Sequence, residues 1–259
     1  MALLDPTASI DRLMGAGGGA LWDRVAAATL ADAVPDDAVV LAPIESQPVW
    51  AAGVTYERSR NEREAESVSA ADVYALVYDA ERPELFLKAA GPRVVPPNDA
   101  IGIRRDSAWN VPEPELVIVA DADLRPVGLT IGNDVSSRSI EGENPLYLPQ
   151  AKVYDRSCAI GPCVVAWDDV ALPAAIGLSI LRGGEPAFEG ETSTAAIHRR
   201  LEDLVDWLGR AMTFELGAYL MTGTGVVPPE SFTLRAGDEV VITIGGIGEL
   251  RNPVVEVGR

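Results

Sequence analysis

The chain has 259 residues, 47% of them hydrophobic, which suffices for one large domain or for a small domain beside a medium one. A formal charge of −18 and a pI near 4.4 argue against nucleic acid and anionic membranes as partners. No stretch is long and apolar enough to span a bilayer and no basic, apolar leader opens the chain, so a soluble cytoplasmic protein is expected.

Residues 1–47 read as a small N-terminal domain and 48–259 as the main one. In the first, Ile10, Leu13 and Met14, then Leu21, Val25 and Leu30, predict helical pieces broken at Gly15-Ala16-Gly17-Gly18-Gly19. That run matches G-x-G-x-x-A, but no strand precedes it, so a flexible helix connection is preferred over a dinucleotide loop. Residues 39–43, Val-Val-Leu-Ala-Pro, predict a short strand, and 49–54 a second. The charged run 56–66 has almost no apolar stripe. It reads either as a salt-bridged surface helix or as a mobile lid whose Glu62 or Glu64 can swing a base over a site.

Residues 83–88 predict a strand that ends on Lys88; 94–97 and 101–103 continue in short-strand style. Lys88 and Lys152 are the only lysines in a chain that otherwise uses arginine, which reads either as retention where a compact ammonium with an adjustable pKa is wanted or as codon bias. Next comes WNVPEPELVIVAD, residues 109–121, a strand bounded by prolines. Period-2 alternation puts Glu113, Glu115, Val117 and Val119 on one face and Leu116, Ile118 and Ala120 on the other. Both faces are apolar beyond the acids, so the strand should be covered. Two carboxylates there either share a proton or are joined by a cation. A turn at 123–126, a strand at 127–131 and a closing turn at Gly132-Asn133-Asp134 make a hairpin that can bring Asp134 back to the pair. Three carboxylates without His or Cys suit a hard dication, Mg²⁺ or Mn²⁺, at ~2.1 Å for Mg²⁺; the alternative is an acidic hairpin on an acidic protein.

Cys158 and Cys163, the only cysteines, are too few for a disulfide framework or a zinc site and are expected to be reduced and buried. Strands are predicted at 163–167 and 176–181, and the one convincing helix at 192–210. Ser193 or Thr194 would cap it, and Ile197, Leu201, Leu204, Val205 and Leu208 form its stripe. His198, the sole histidine, lies one residue off that stripe, so its expected role is structural and Ser-His-Asp or Cys-His chemistry has little support. From Met221 to Val257 strands alternate with glycine-rich turns.

Five motifs in order, Glu113-Pro114-Glu115, Asn133 to Arg138, Lys152 with Tyr154-Asp155, Thr222-Gly223-Thr224 and Gly237-Asp238 through Leu250, make the chain resemble the fumarylacetoacetate hydrolase superfamily from about Val49 to Val255. GVTYERS, VYDAERPELFLKA, VPEPEL and EGENPLYLPQAKVYD resemble its branch of 2-keto-3-deoxy-D-arabinonate dehydratases. The resemblance implies an α+β, mostly β fold: a mixed β-sandwich roll with a small N-terminal domain. It implies Mg²⁺, with Mn²⁺ as substitute, on Glu113, Glu115 and Asp134, and a 2-oxo acid substrate. Lys152 and a lid glutamate, Glu64 before Glu62, would be catalytic; Arg138, Thr224, Lys88 and Ser59 would bind substrate, Lys88 from behind the contacting groups. A homodimer or homotetramer is implied, as is dehydration of a 2-keto-3-deoxy sugar acid to 2,5-dioxopentanoate in pentose catabolism.

Acylpyruvate or fumarylacetoacetate-type hydrolysis, or oxaloacetate decarboxylation, is the alternative on the same scaffold. Against hydrolysis, Ser59 stands where the hydrolases carry a His three residues after the motif tyrosine, Tyr56, and Glu141 stands where their Gln is expected. A metal-binding or assembly protein without catalysis is the third reading. Lys152, Arg138 and a charged lid beside three ligands speak against it.

Overall fold

The computed structural model describes residues 2–4, 8–15, 21–33, 38–56 and 76–259. Two short strands, β1 (Ala2–Leu4) and β2 (Thr29–Ala33), pair antiparallel around α1 (Ile10–Gly15) and α2 (Leu21–Ala28). Then come β3 (Pro48–Gly53), β4 (Glu84–Ala90), β5 (Ile101–Arg104), β6 (Asn110–Val111), β7 (Pro114–Ala120), β8 (Pro126–Asp134) and β9 (Ser136–Ser137). Two short helices follow, α3 (Arg138–Glu143) and α4 (Leu148–Lys152), then β10 (Cys158–Ala166), β11 (Ala175–Arg182), β12 (Glu185–Ser193) and α5 (Leu201–Gly209). Strands β13 (Ala218–Met221), β14 (Asp238–Ile244) and β15 (Gly248–Val257) close the chain.

A six-stranded sheet in the order β10-β8-β7-β13-β3-β4 faces a five-stranded one in the order β12-β11-β14-β15-β5. Pairing is antiparallel except at β13–β3 and β15–β5, which makes both sheets mixed, as the resemblance implied. The alternation expected for β7 sorts its side chains between two cores. Leu116, Ile118 and Ala120 join Leu129, Ile131, Ile176, Ile242 and Leu250 between the sheets, with Leu204, Val205 and Leu208 of α5 at the margin. Val117 and Val119 join Val49, Ala51, Tyr219 and Met221 on the opposite face, where Met14 of α1, Leu21 of α2 and Ile44 cover them. A strand buried on both faces reads as a nearly continuous apolar run, and β7 does.

Several expectations change. Gly132, Asn133 and Asp134 lie within β8 rather than in a turn after it, because they continue its ladder with β10 (Gly132↔Ile160, Asn133↔Ala159, Asp134↔Cys158). Residues 39–43 form no strand; Val39 and Leu41 are exposed, and no strand among the described residues pairs with them. Residues 94–97 contribute only one bridge, Val95↔Ala159, after a 3₁₀ turn at Gly91–Arg93. The predicted helix 192–210 starts at Leu201: β12 runs through Ser193, whose hydroxyl accepts the N–H of Ala195 in a 3₁₀ turn. Tyr56 then bridges Ile197, and the N–H of His198 donates to Thr55 O, so long-range backbone pairing holds 197–198 out of the helix. Cys158 is buried, but Cys163 is exposed where β10, at the sheet edge, slips register against β8.

Candidate metal centre

Glu113, Glu115 and Asp134 come together because of the β7–β8 hairpin. Asp121 closes its turn, accepting the N–H groups of Asp123 and Arg125 at 3.0 Å each and the Arg125 guanidinium at 3.0–3.1 Å. In the resulting register Glu115 opposes Gly132, and Asp134 N donates to Glu113 O at 3.0 Å. Opposed residues share a face. Gly132 leaves the room that Met221 and Val117 fill: a Cβ there would lie 2.7 Å from Met221 Cε and 2.6 Å from Val117 Cγ2. The three carboxylates offer oxygens within 4.8 Å of one another, and each residue is at most 2% exposed.

Cations surround them. The two short helices carry prolines in their first turns or cap with Ser137, and α4 ends on Lys152. Its Nζ donates to Glu113 Oε2 at 2.7 Å, Asp134 Oδ2 at 2.8 Å and Ser136 Oγ at 2.6 Å. Arg138, which opens α3, donates through Nε to Glu113 Oε1 at 3.0 Å and stands 3.9 Å from the buried Glu141. Lys88 reaches in from β4. Its Nζ donates to Val135 O at 3.0 Å and Lys152 O at 2.5 Å, and makes an ion pair with Asp134 Oδ1 at 2.5 Å. All three ammonium donors therefore end on protein oxygens, which places Lys88 behind Asp134. Thr224 is buried and its hydroxyl meets the backbone of Val226. Ser59, Glu62 and Glu64 lie outside the described residues.

Among the described residues, Glu115 is the carboxylate of the trio without a cation in direct contact. Its Oε2 accepts the N–H of Gly223 at 2.6 Å. Gly223 has φ +90°, and a Cβ would fall 2.0 Å from Thr55 Oγ1, so this donor requires glycine. Burial, then the charges of Asp134 and Glu113, push the Glu115 carboxyl well above its usual range; Lys152 and the Gly223 amide pull back only in part. Asp134 Oδ1, beside Lys88, has no donor aligned on it as a hydrogen bond. A buried acid made reluctant to ionise by two others fits a hard dication, because added positive charge would reverse the Glu115 shift.

Sequence reasoning did not single out Ser136 or Gly223 as parts of this site, although both lie in the motifs quoted above. Ser136 Oγ accepts from Lys152 and donates to Asp134 O at 2.9 Å. Gly237 to Leu250, the last of those motifs, is structural. Asp238 accepts Arg182 in two bonds of 2.8 Å, and Gly246 and Gly248 turn β14 into β15 with φ of +83° and +131°. His198 stacks on Tyr78 with ring centroids 4.5 Å apart, consistent with a structural role. Among the described residues, no helix is long and apolar enough to cross a membrane.

A family model described as the C-terminal region of fumarylacetoacetate hydrolase matches residues 49–255. A probable 2-keto-3-deoxyxylonate dehydratase of Haloferax volcanii is 52% identical over 242 residues, covering 91% of this chain and 83% of that protein. The 2-dehydro-3-deoxy-D-arabinonate dehydratase of Saccharolobus solfataricus is 42% identical over 224 residues, covering 85% and 75%. Among solved structures, a 2-keto-3-deoxy-D-arabinonate dehydratase complexed with magnesium and 2,5-dioxopentanoate superposes with a TM-score of 0.77 at 40% identity, covering 84% of this chain and 75% of that one.

Proposed function

The chain belongs to the fumarylacetoacetate hydrolase family, and from that premise we propose that it is a metal-dependent hydro-lyase converting a 2-keto-3-deoxypentonate to 2,5-dioxopentanoate and water. The observation that carries the reading is the buried trio Glu113, Glu115 and Asp134, with ligand oxygens within 4.8 Å, in a chain similar to a dehydratase that holds magnesium and this product. Glu113, Glu115 and Asp134 would hold Mg²⁺, or Mn²⁺ in its place. Bound there, the ion would supply a Lewis acid beside the ketone of the 2-oxo acid.

The chain's own residues do the rest. Lys152, between Glu113 and Asp134, and Arg138, on Glu113, pair with and orient these two carboxylates, and place positive charge where negative charge grows as a C3 proton leaves. Lys88 fixes Asp134 from behind. Glu64, with Glu62 as its alternate, is assigned as the base that takes the C3 proton and later returns one; Arg138, Thr224 and Ser59 complete the substrate pocket. The C4 hydroxyl departs as water, and tautomerisation leaves an aldehyde at C5. His198, the only histidine, stacks on Tyr78 and is not among the groups bonded to the trio, so hydrolysis by a histidine-activated water has no support at this site. We further assign the enzyme to pentose catabolism in the cytoplasm, as a homodimer or homotetramer with residues 1–47 as a small N-terminal domain.

The test is a substrate panel with Mg²⁺: D- and L-2-keto-3-deoxypentonates, an acylpyruvate and oxaloacetate. A five-carbon dioxo acid formed from a deoxypentonate, and lost on chelation, supports the reading. Cleavage of the acylpyruvate or CO₂ release from oxaloacetate, with the pentonates untouched, overturns it.

A further inference from the structure

Tyr56 is 1% exposed, among the largest fully buried side chains, and its hydroxyl has no hydrogen-bond partner among the described residues. A buried phenol normally finds a partner, and leaving one without costs stability. The backbone around it is pinned on both sides. Tyr56 bridges Ile197, Thr55 Oγ1 donates to Thr222 O at 2.6 Å, and His198 N donates to Thr55 O at 2.9 Å. Its ring lies on Gly225, where a Cβ would come within 2.4 Å of Cδ1 and 2.6 Å of Cε1. The same short turn, Thr222 to Gly225, therefore grips Glu115 through the Gly223 amide and carries the Tyr56 ring two residues later. The phenol also feels the site electrostatically: burial first, and the Glu115 charge second, push its proton loss far above the ordinary range.

We propose that the Tyr56 hydroxyl is a specificity-determining contact of the acid-trio site, reading an alcohol on the part of the substrate beyond C3. The inference rests on the dehydratase reading for the substrate class, but its own basis is the orphaned hydroxyl. A phenol that keeps its proton is both donor and acceptor, which matches an alcohol. The neighbouring Glu115 charge disfavours a second carboxylate at that point, so a dicarboxylic acid is a poorer fit than a hydroxylated monoacid. A site built to bond a hydroxyl discriminates against the analogue that lacks it.

The test uses two acids that cannot enolise and so are not consumed: 3-deoxypentonate, with an alcohol in place of the C2 ketone, and 2-hydroxypentanoate, which lacks the distal hydroxyls. Calorimetry with saturating Mg²⁺ compares the intact wild-type protein with Tyr56→Phe. The wild type should prefer 3-deoxypentonate by roughly tenfold or more. Tyr56→Phe should erase that preference while binding 2-hydroxypentanoate as before, and its metal-free melting temperature should be unchanged or higher, since the lost hydroxyl bonded nothing in the protein. A preference retained by the variant, no preference in the wild type, equal weakening of both acids or a melting temperature several degrees lower would each overturn the proposal. If the preference behaves as expected but wild-type enzyme forms no dioxo acid from any 2-keto-3-deoxypentonate, the dehydratase reading fails and the Tyr56 contact stands.

Discussion

Lys88 is wholly buried, with its ammonium shared between Asp134, Val135 O and Lys152 O. Removing one partner of a buried ion pair strands the other, at a cost of about 3–5 kcal/mol. Lys88→Met, similar in length but neutral, should therefore lower the unfolding free energy in urea by about that amount; a loss under about 1 kcal/mol would show that Lys152 alone satisfies Asp134. Lys88 stood out in the sequence as one of two lysines, but its direction did not, because nothing local says that an ammonium on β4 will reach the end of β8. The cysteines make a second residue-scale case. Burial pushes the Cys158 thiol from an ordinary 9.0 up to about 12. Because the fold then holds the proton more tightly than the unfolded chain, Cys158 leaves stability untouched below pH 9 and subtracts from it as pH rises from about 9 towards about 12. At about pH 8, well below either value, a thiol reagent should modify one group per native chain, the exposed Cys163, and a second only in denaturant. Two rapid equivalents in the native protein would contradict the burial.

The β7–β8 hairpin is the element that makes the trio, and it was the most legible part of the chain. Period-2 alternation from Glu113 to Ala120 and the turn residues after it suffice to bring Asp134 back, even though Gly132 to Asp134 proved to be strand. Its turn depends on Asp121, 3% exposed, which bonds two backbone amides and a guanidinium. Asp121→Ala should cost about 1–3 kcal/mol in denaturant unfolding, and it should also loosen Mg²⁺ binding 13 residues away in sequence at Asp134, the residue on which the hairpin closes. Helix α5 was less legible. Its stripe of Leu204, Val205 and Leu208 was read correctly, but its start was displaced because Ile197 and His198 are claimed by backbone partners at Tyr56 and Thr55. Propensity and a good capping serine carry no information about a partner some 140 residues earlier.

At the scale of the molecule, two mixed sheets enclose one core, a second core lies under α1 and α2, and the acids sit at the end of the β7 face that belongs to the second. The sandwich followed from the family motifs rather than from strand counting, since strand order such as β10-β8-β7-β13-β3-β4 depends on pairings between distant segments. A net charge of −18 repels itself in the compact state. Raising NaCl from about 0.1 M to about 1 M shortens the screening length from roughly 10 Å to about 3 Å, so the melting temperature should rise; a fall would mean that the favourable ion pairs dominate. The central claim concerns one site in this molecule, and a Mg²⁺ titration by calorimetry tests it most directly. Wild-type protein should bind one ion per chain at the trio, and folded Glu115→Gln should lose that binding together with turnover. Equal one-site binding by both proteins, or full wild-type turnover in excess chelator, would contradict it.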